Sequence, residues 1–195
     1  MTDDETTHAL ILASAIAVVA DVGYRSTSLT AVAAGAGVPE SVVEHEFPSK
    51  AMLMSEAVAW IFGDVAHYMG SRIEAEPEGL PRIRMYIRAL CTYYYDRPRY
   101  MRAMRAIVGS GELQGPTKYL SSAQRWRPAG DILAEGQRKG LLGQFDPRAV
   151  AIVIAGGIDG LFDEWSSDPS FDLPAAAGQL EALVAGLTRG AVFAP

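Results

Sequence analysis

Gly23-Tyr24-Arg25-Ser26-Thr27-Ser28-Leu29-Thr30-Ala31-Val32-Ala33-Ala34-Gly35-Ala36-Gly37-Val38-Pro39-Glu40-Ser41-Val42-Val43-Glu44-His45-Glu46-Phe47-Pro48-Ser49-Lys50 is the stretch on which the fold turns. Thr27 or Ser28 can cap a helix running through Ala34, because a side-chain oxygen there accepts an orphan amide hydrogen bond. Gly35-Ala36-Gly37 then supplies a tight turn, since glycine enters the left-handed region without steric cost. A second helix runs from Pro39 to about Phe47: proline suits the first helical turn, and Val38, Val43 and Phe47 point back to the preceding helices. Upstream, Ala9 to Val22 carries Leu12, Ile16, Val19 and Ala20 at three- and four-residue spacing and ends near Asp21 and Gly23. Three short helices closed by a glycine turn make a helix-turn-helix, with Pro39–Phe47 as the rod that could lie in a groove.

The residues that carry a family likeness are Gly23-Tyr24, Thr27-Ser28, Val32-Ala33, Ala36-Gly37-Val38 and Phe47-Pro48-Ser49-Lys50, in order and at fixed offsets over about fifty positions. In this pattern the chain resembles the tetracycline-repressor (TetR) family of bacterial regulators. The resemblance implies an all-α homodimer with an N-terminal helix-turn-helix domain, 1–48, that binds a double-stranded DNA operator. It also implies a larger helical effector-binding and dimerisation domain, 49–195. By the same resemblance, DNA contacts fall on Arg25, Thr27, Ser28, Glu40, Ser41, Val42, Glu44, His45 and Lys50.

Departures from the pattern are concentrated on the groove-facing helix. Position 44 is usually Tyr in the family and position 42 often Thr, whereas this chain has Glu44 and Val42; Glu46 stands where an aromatic or His is expected. Many relatives carry a basic N-terminal arm, and here the residues are Met1-Thr2-Asp3-Asp4-Glu5-Thr6-Thr7-His8. Residues 1–50 hold two bases, Arg25 and Lys50, against seven acids, so five of the chain's six net negative charges lie there. Neutralisation of phosphates supplies most nonspecific DNA affinity, and two bases keep that contribution small. Two readings follow. In one, phosphates are held by Lys50, Arg25, the hydroxyls at 26–28 and the amide-rich N-termini of the helices around them, Val42 touches a thymine methyl, and Glu44 or Glu40 accepts from a cytosine amino group. In the other, Glu40, Glu44 and Glu46 form a solvated face on a degenerate domain, and the protein is a small-molecule-binding dimer that no longer binds DNA.

The 195 residues, 49% apolar, suffice for one small and one moderate domain. The apolar run Ala9–Ala20 is too short to span a bilayer and is preceded by acids, so neither a signal peptide nor a membrane anchor is expected. Cys91 stands alone, which excludes a disulfide framework within one chain and points to a buried structural thiol and a cytoplasmic protein.

Downstream, Ser49 to about Ala75 reads as one long helix, with breaks at Pro77, Gly79 and Pro81. Further helices are predicted at Arg82–Asp96, Arg99–Val108, Thr117–Lys139 with a bend at Pro128 and a stop at Gly140, Pro147–Trp165 and Leu173–Arg189. The last two carry apolar stripes, and two such helices from each of two subunits close a four-helix bundle. Val153, Gly157, Leu161, Leu180, Val184 and Leu187 are the expected dimer contacts.

Aromatic and methionine side chains crowd the middle helices: Tyr68, Tyr93, Tyr95, Tyr100 and Tyr119 accompany Trp60, Tyr86, Tyr94, Met101, Met104 and Trp126. Those last six are the expected ligand-binding residues, for a small hydrophobic or aromatic effector. No cofactor and no metal are expected: His8, His45 and His67 lack ligand spacing, and Gly109-Ser110-Gly111 has no strand before it and no Lys-Ser/Thr after it. Asp159, Asp163 and Glu164 read as a solvated or subunit-bridging helix face rather than an acid/base site. The expectation is a non-enzymatic, ligand-responsive transcriptional repressor.

Overall fold

Helical periodicity in the sequence is realised as helix throughout the residues that the computed structural model describes, 3–114 and 122–189, where no strand occurs. The elements are α1 (Asp3–Ser26), α2 (Leu29–Ala36), α3 (Glu40–Glu46), α4 (Lys50–Glu74), α5 (Leu80–Asp96), α6 (Pro98–Ser110), α7 (Ser122–Arg138), α8 (Pro147–Ser167) and α9 (Leu173–Thr188).

Three boundaries near the N-terminus differ from the sequence expectation. α1 starts at Asp3 rather than Ala9. At its other end it passes a break at Gly23, where φ is 80° and ψ 164°, and resumes to Ser26. α2 includes Gly35 and ends at Ala36, so the left-handed turn falls on Gly37 alone, φ 71°. There the Gly37 amide donates to Ala34 and the Val38 amide to Ala33, closing the helix end. Gly35 serves another purpose: a β-carbon on it would lie 2.4 Å from the Ser14 hydroxyl oxygen, which donates to the Val32 carbonyl at 2.7 Å. The missing side chain is what lets α1 approach α2.

By length and composition Glu5–Ser26 could cross a membrane. The apolar run Ala9–Ala20 is thus part of a helix longer than the run itself, and what argues for a core helix is the burial of Ile11, Leu12, Ala15, Ile16 and Val19. They pack in one compact unit whose other buried residues include Val32, Ala33, Val43, Phe47, Leu53, Met54, Val58 and Ile61.

The compact units are drawn differently from the expected 1–48 and 49–195. The first runs to Asp64, inside α4, and takes in α6 and the residues after it; the second holds the rest of α4 with α5, α7, α8 and α9. α6 joins the first unit because α1 has more apolar surface than α2 and α3 cover, and Met101, Ala103 and Ile107 are buried in it. Polar links reinforce this packing: Tyr24 donates to Glu112 at 2.9 Å, Arg99 to Asp21 at 3.1 Å, and the Gln114 amide to the Ser55 hydroxyl at 2.7 Å.

In the second unit Ile83, Tyr86, Ile87, Tyr93 and Tyr94 of α5 face a core with Leu133, Ile154, Ile158, Phe162, Leu173 and Val184. Arg88 donates twice to Glu181, at 3.0 and 2.7 Å, pinning α5 to α9. α7 runs on through Pro128 and stops at Gly140, φ 70°, where the Leu141 amide reaches back to Gly136. The first residues of the helix expected over Thr117–Lys139, Tyr119 among them, lie outside the described residues. Asp146 and Asp172 cap α8 and α9 through the amides of Arg148, Ala149 and Ala175.

Candidate nucleic-acid interface and effector region

Ser28, not Thr27, caps α2: its hydroxyl accepts from the Ala31 amide at 3.1 Å with extended backbone. Thr27 is 4% exposed and donates to the Gly23 carbonyl, so in this conformation its hydroxyl is turned away from any duplex and ties down the break in α1 instead. Pro39 precedes α3 at φ −60° and ψ 145°, and its carbonyl accepts from the Val42 amide. With Val43 and Phe47 buried, α3 presents Glu40, Ser41, Glu44 and His45 outward, while Val42 is half-buried. Arg25 is exposed in the last turn of α1.

Lys50 lies with its ammonium 4.5 Å from the centre of the Tyr24 ring and donates to the Arg25 carbonyl at 3.4 Å. The Tyr24 hydroxyl is pushed up to about 12, first by burial and then by its hydrogen bond to Glu112, so it stays a neutral platform. Lys50 and Arg25 are thereby brought together at the start of α4, whose first amides are capped by Ser49 through Met52.

The three carboxylates of α3 are not equivalent. Glu40 accepts from the Thr30 hydroxyl of α2 at 2.9 Å. Glu46 is turned inward to His8, with the Nδ1 nitrogen 3.0 Å from its oxygen. Glu44 is exposed on the outer face. Thr30 and His8 were not singled out as site residues in the sequence. For His8 the signal was present: it continues the Ile11, Leu12, Ala15, Ile16 and Val19 stripe one turn toward the N-terminus, and so had to face the other helices.

The six residues expected to bind a ligand fall three to each compact unit. Trp60, Met101 and Met104 belong to the first, where Trp60 meets Tyr100 edge-on at 5.6 Å and Met101 is buried. Tyr86, Tyr94 and Trp126 belong to the second. Tyr94 meets Phe162 edge-on at 5.1 Å, and Arg148 lies over the Trp126 ring at 5.2 Å. Arg125, next to Trp126, pairs with Asp159 at 3.0 Å. Tyr86 is pushed up to about 12 and Tyr94 further still, in both cases by burial first and then by Asp159, so both hydroxyls are neutral donors. The second unit therefore carries an aromatic set with a cationic and a carboxylate group beside it. A depression of about 210 Å³ lined by Glu76, Pro81, Arg84, Met85 and Arg88 lies on the opposite side of α5 from Tyr86 and Tyr94, as the helical spacing requires.

Of the residues expected at a subunit interface, Val153 is 57% and Leu187 42% exposed, Gly157, Leu161 and Leu180 are half-buried, and Val184 is fully buried. A β-carbon on Gly157 would stand 3.1 Å from Leu180 of the same chain, so Gly157, Leu180 and Val184 serve the packing of α8 on α9. The apolar surface left outward is Ile152, Val153, Leu183 and Leu187. Cys91 is buried, and burial pushes its thiol up to about 12. No cluster of His, Cys, Asp and Glu suited to a metal occurs among the described residues.

Among the described residues the secondary structure is helical, and α2, the Gly37 turn and α3 form a helix-turn-helix. Residues 11–57 match the sequence model of the bacterial regulatory proteins of the tetR family. Solved structures share the fold over almost the whole chain. One, a Pseudomonas aeruginosa protein assigned to transcriptional regulation, is 24% identical with a TM-score of 0.81, covering 96% of this chain and 92% of that one. FadR from Bacillus subtilis, in complex with stearoyl-CoA, is 18% identical with a TM-score of 0.72, over 90% and 96% of the two chains. AibR, in complex with isovaleryl coenzyme A and operator DNA, is 17% identical with a TM-score of 0.74, over 91% and 97%. No match is found among curated proteins. The match to the tetR-family model is confined to residues 11–57, and these solved structures, each under 25% identical, show that the chain shares their fold.

Proposed function

We propose that the chain is a cytoplasmic homodimeric repressor that reads a palindromic operator with α3 and is released by an apolar effector. The observation that carries the DNA-binding half is the disposal of the α3 carboxylates. Glu46 is committed to His8 and Glu40 is held to Thr30, which leaves Glu44 on the outer face beside Ser41 and His45. A carboxylate there accepts from a cytosine amino group, so Glu44 specifies a C·G pair instead of repelling the duplex outright. Phosphates fall to Arg25, Lys50, Ser28 and the amides at the starts of α2 and α4.

Ile152, Val153, Leu183 and Leu187 form the face on which two copies would close a four-helix bundle, presenting two α3 helices to successive major grooves. For the effector, Tyr86, Tyr94, Phe162 and Trp126 suit an apolar body, and Arg125 or Arg148 an anionic or carbonyl end. Acyl-CoA thioesters are the first class to try, because FadR and AibR carry them in the same fold. α4 is one continuous helix shared by both compact units, so a ligand that favours one arrangement of it shifts the DNA-competent population.

Selection of bound duplexes from random DNA at low and moderate salt tests the reading. A recovered palindrome whose C·G preference relaxes in Glu44→Ala supports it, with a loss at that position of about 1–3 kcal/mol. An empty pool at micromolar protein supports instead a ligand-binding dimer with a degenerate helix-turn-helix.

A further inference from the structure

His8 sits where three helices meet in the first unit. Its Nδ1 nitrogen is 3.0 Å from Glu46 of α3, its Nε2 nitrogen 2.7 Å from Glu56 of α4, and its ring lies 5.2 Å from the Phe47 ring at a tilt of 31°. A neutral imidazole has one N–H and one lone pair, so it can satisfy only one of the two carboxylates and turns a lone pair on the other. An imidazolium donates to both, with charge-assisted bonds. The carboxylates meet opposite nitrogens of the ring, so they cannot converge on one metal ion.

We propose that His8 is a positioning residue for DNA recognition: as an imidazolium it clamps the C-terminal end of the recognition helix to α1 and α4, and the clamp opens as the imidazole loses its proton. The charged groups facing it are Glu46 from α3 and Glu56 from α4; on α1 itself Glu5 stands one turn earlier. The bond to Glu46 is the main reason that the imidazole is held above its ordinary 6.5, with burial opposing and Glu56 adding to the rise. A raised imidazole gives a contribution that is complete below the unfolded value and lost as pH climbs through the folded one. Over that window α3 is released at one end while Val43 and Phe47 keep it in the core. The operator-binding consequence rests on the reading under Proposed function; the clamp itself does not.

Hydrogen exchange of the Val42–Phe47 amides, followed across pH 6 to 9 (roughly the imidazole range) after correction for the intrinsic rate, tests the clamp without DNA. Protection is expected to fall with rising pH in the wild type, to be low at every pH in His8→Gln, and to be high and pH-independent in His8→Lys, whose ammonium can reach the carboxylates and does not titrate there. The His8 ring resonance should titrate above 6.5 and move down in Glu46→Gln. Operator affinity should weaken with pH by about threefold to tenfold more in the wild type than in His8→Gln, one pKa unit of coupling being a factor of ten. His45 is present in both proteins, so the comparison isolates His8. Protection unaffected by pH and by His8→Gln overturns the proposal. Absence of duplex binding at any pH would sink the regulator reading alone, and the exchange experiment would still decide the clamp.

Discussion

Gly35 leaves no room for a methyl group, because the Ser14 hydroxyl occupies the place of a β-carbon. Gly35→Ala should therefore cost about 1–3 kcal/mol as overpacking, and Ser14→Ala in the same chain should recover part of it, since only the oxygen is close. A double-mutant cycle by denaturant unfolding reads the coupling; additive effects would contradict the packing described. Cys91 makes the opposite kind of case, a reactive residue type rendered inert. With the thiol pushed up to about 12, almost no thiolate exists at neutral pH, and alkylation by iodoacetamide should be slow in the folded protein. Labelling should accelerate sharply once denaturant unfolds the second unit; fast labelling of the native protein would show that Cys91 is not buried as described.

Among the elements, α8 and α9 depend on their caps, and α9 is tied to α5 by the Arg88–Glu181 ion pair. Asp146 accepts from two amides at the start of α8, and Asp146→Ala should cost about 1 kcal/mol, measured as a shift in the thermal midpoint. Glu181 is buried at 8% side-chain exposure while Arg88 is 61% exposed, so the two partners are not exchangeable. Arg88→Ala leaves a buried carboxylate without its two hydrogen bonds and should cost about 1–3 kcal/mol. Arg88→Ala with Glu181→Leu should be less destabilised than Arg88→Ala alone, because no charge is then stranded. If Arg88→Ala is neutral, the α5–α9 pairing is not held by this pair.

For the molecule as a whole, the proposed association and the proposed DNA binding rest on surface rather than core. Leu183 is 67% exposed in the monomer and should lie in the centre of the proposed bundle. Leu183→Glu should leave folding intact, since the side chain is mostly exposed, but give monomers by sedimentation and abolish operator binding. A Leu183→Glu protein that remains dimeric would place the interface elsewhere. With Arg25 and Lys50 as the bases of residues 1–50, the dependence of log affinity on log salt should be shallow, corresponding to about four neutralised phosphates per dimer at most. A much steeper slope would mean that arginines outside this segment reach the duplex.

The sequence by itself determined the helices and their order. Ile11, Leu12, Ile16 and Val19, or Ile83, Tyr86, Ile87 and Tyr94, recur at spacings only an amphipathic helix satisfies, and Gly37, Pro39, Gly140 and Pro147 mark ends by backbone rules that hold locally. Arg25, Ser28, Ser41, Glu44 and His45 were legible as outward residues for the same reason. Contacts across the fold were not, because they join residues far apart in sequence with no periodicity to announce them. His8 and Glu46 are 38 positions apart, and Tyr24 and Glu112 are 88. Only tertiary structure decided that α6 packs with the helix-turn-helix, that Val184 faces its own core, and that Glu46 turns inward. Helix formation is a property of the local chain, whereas the direction a carboxylate faces is set by whichever partner the packed core leaves within reach.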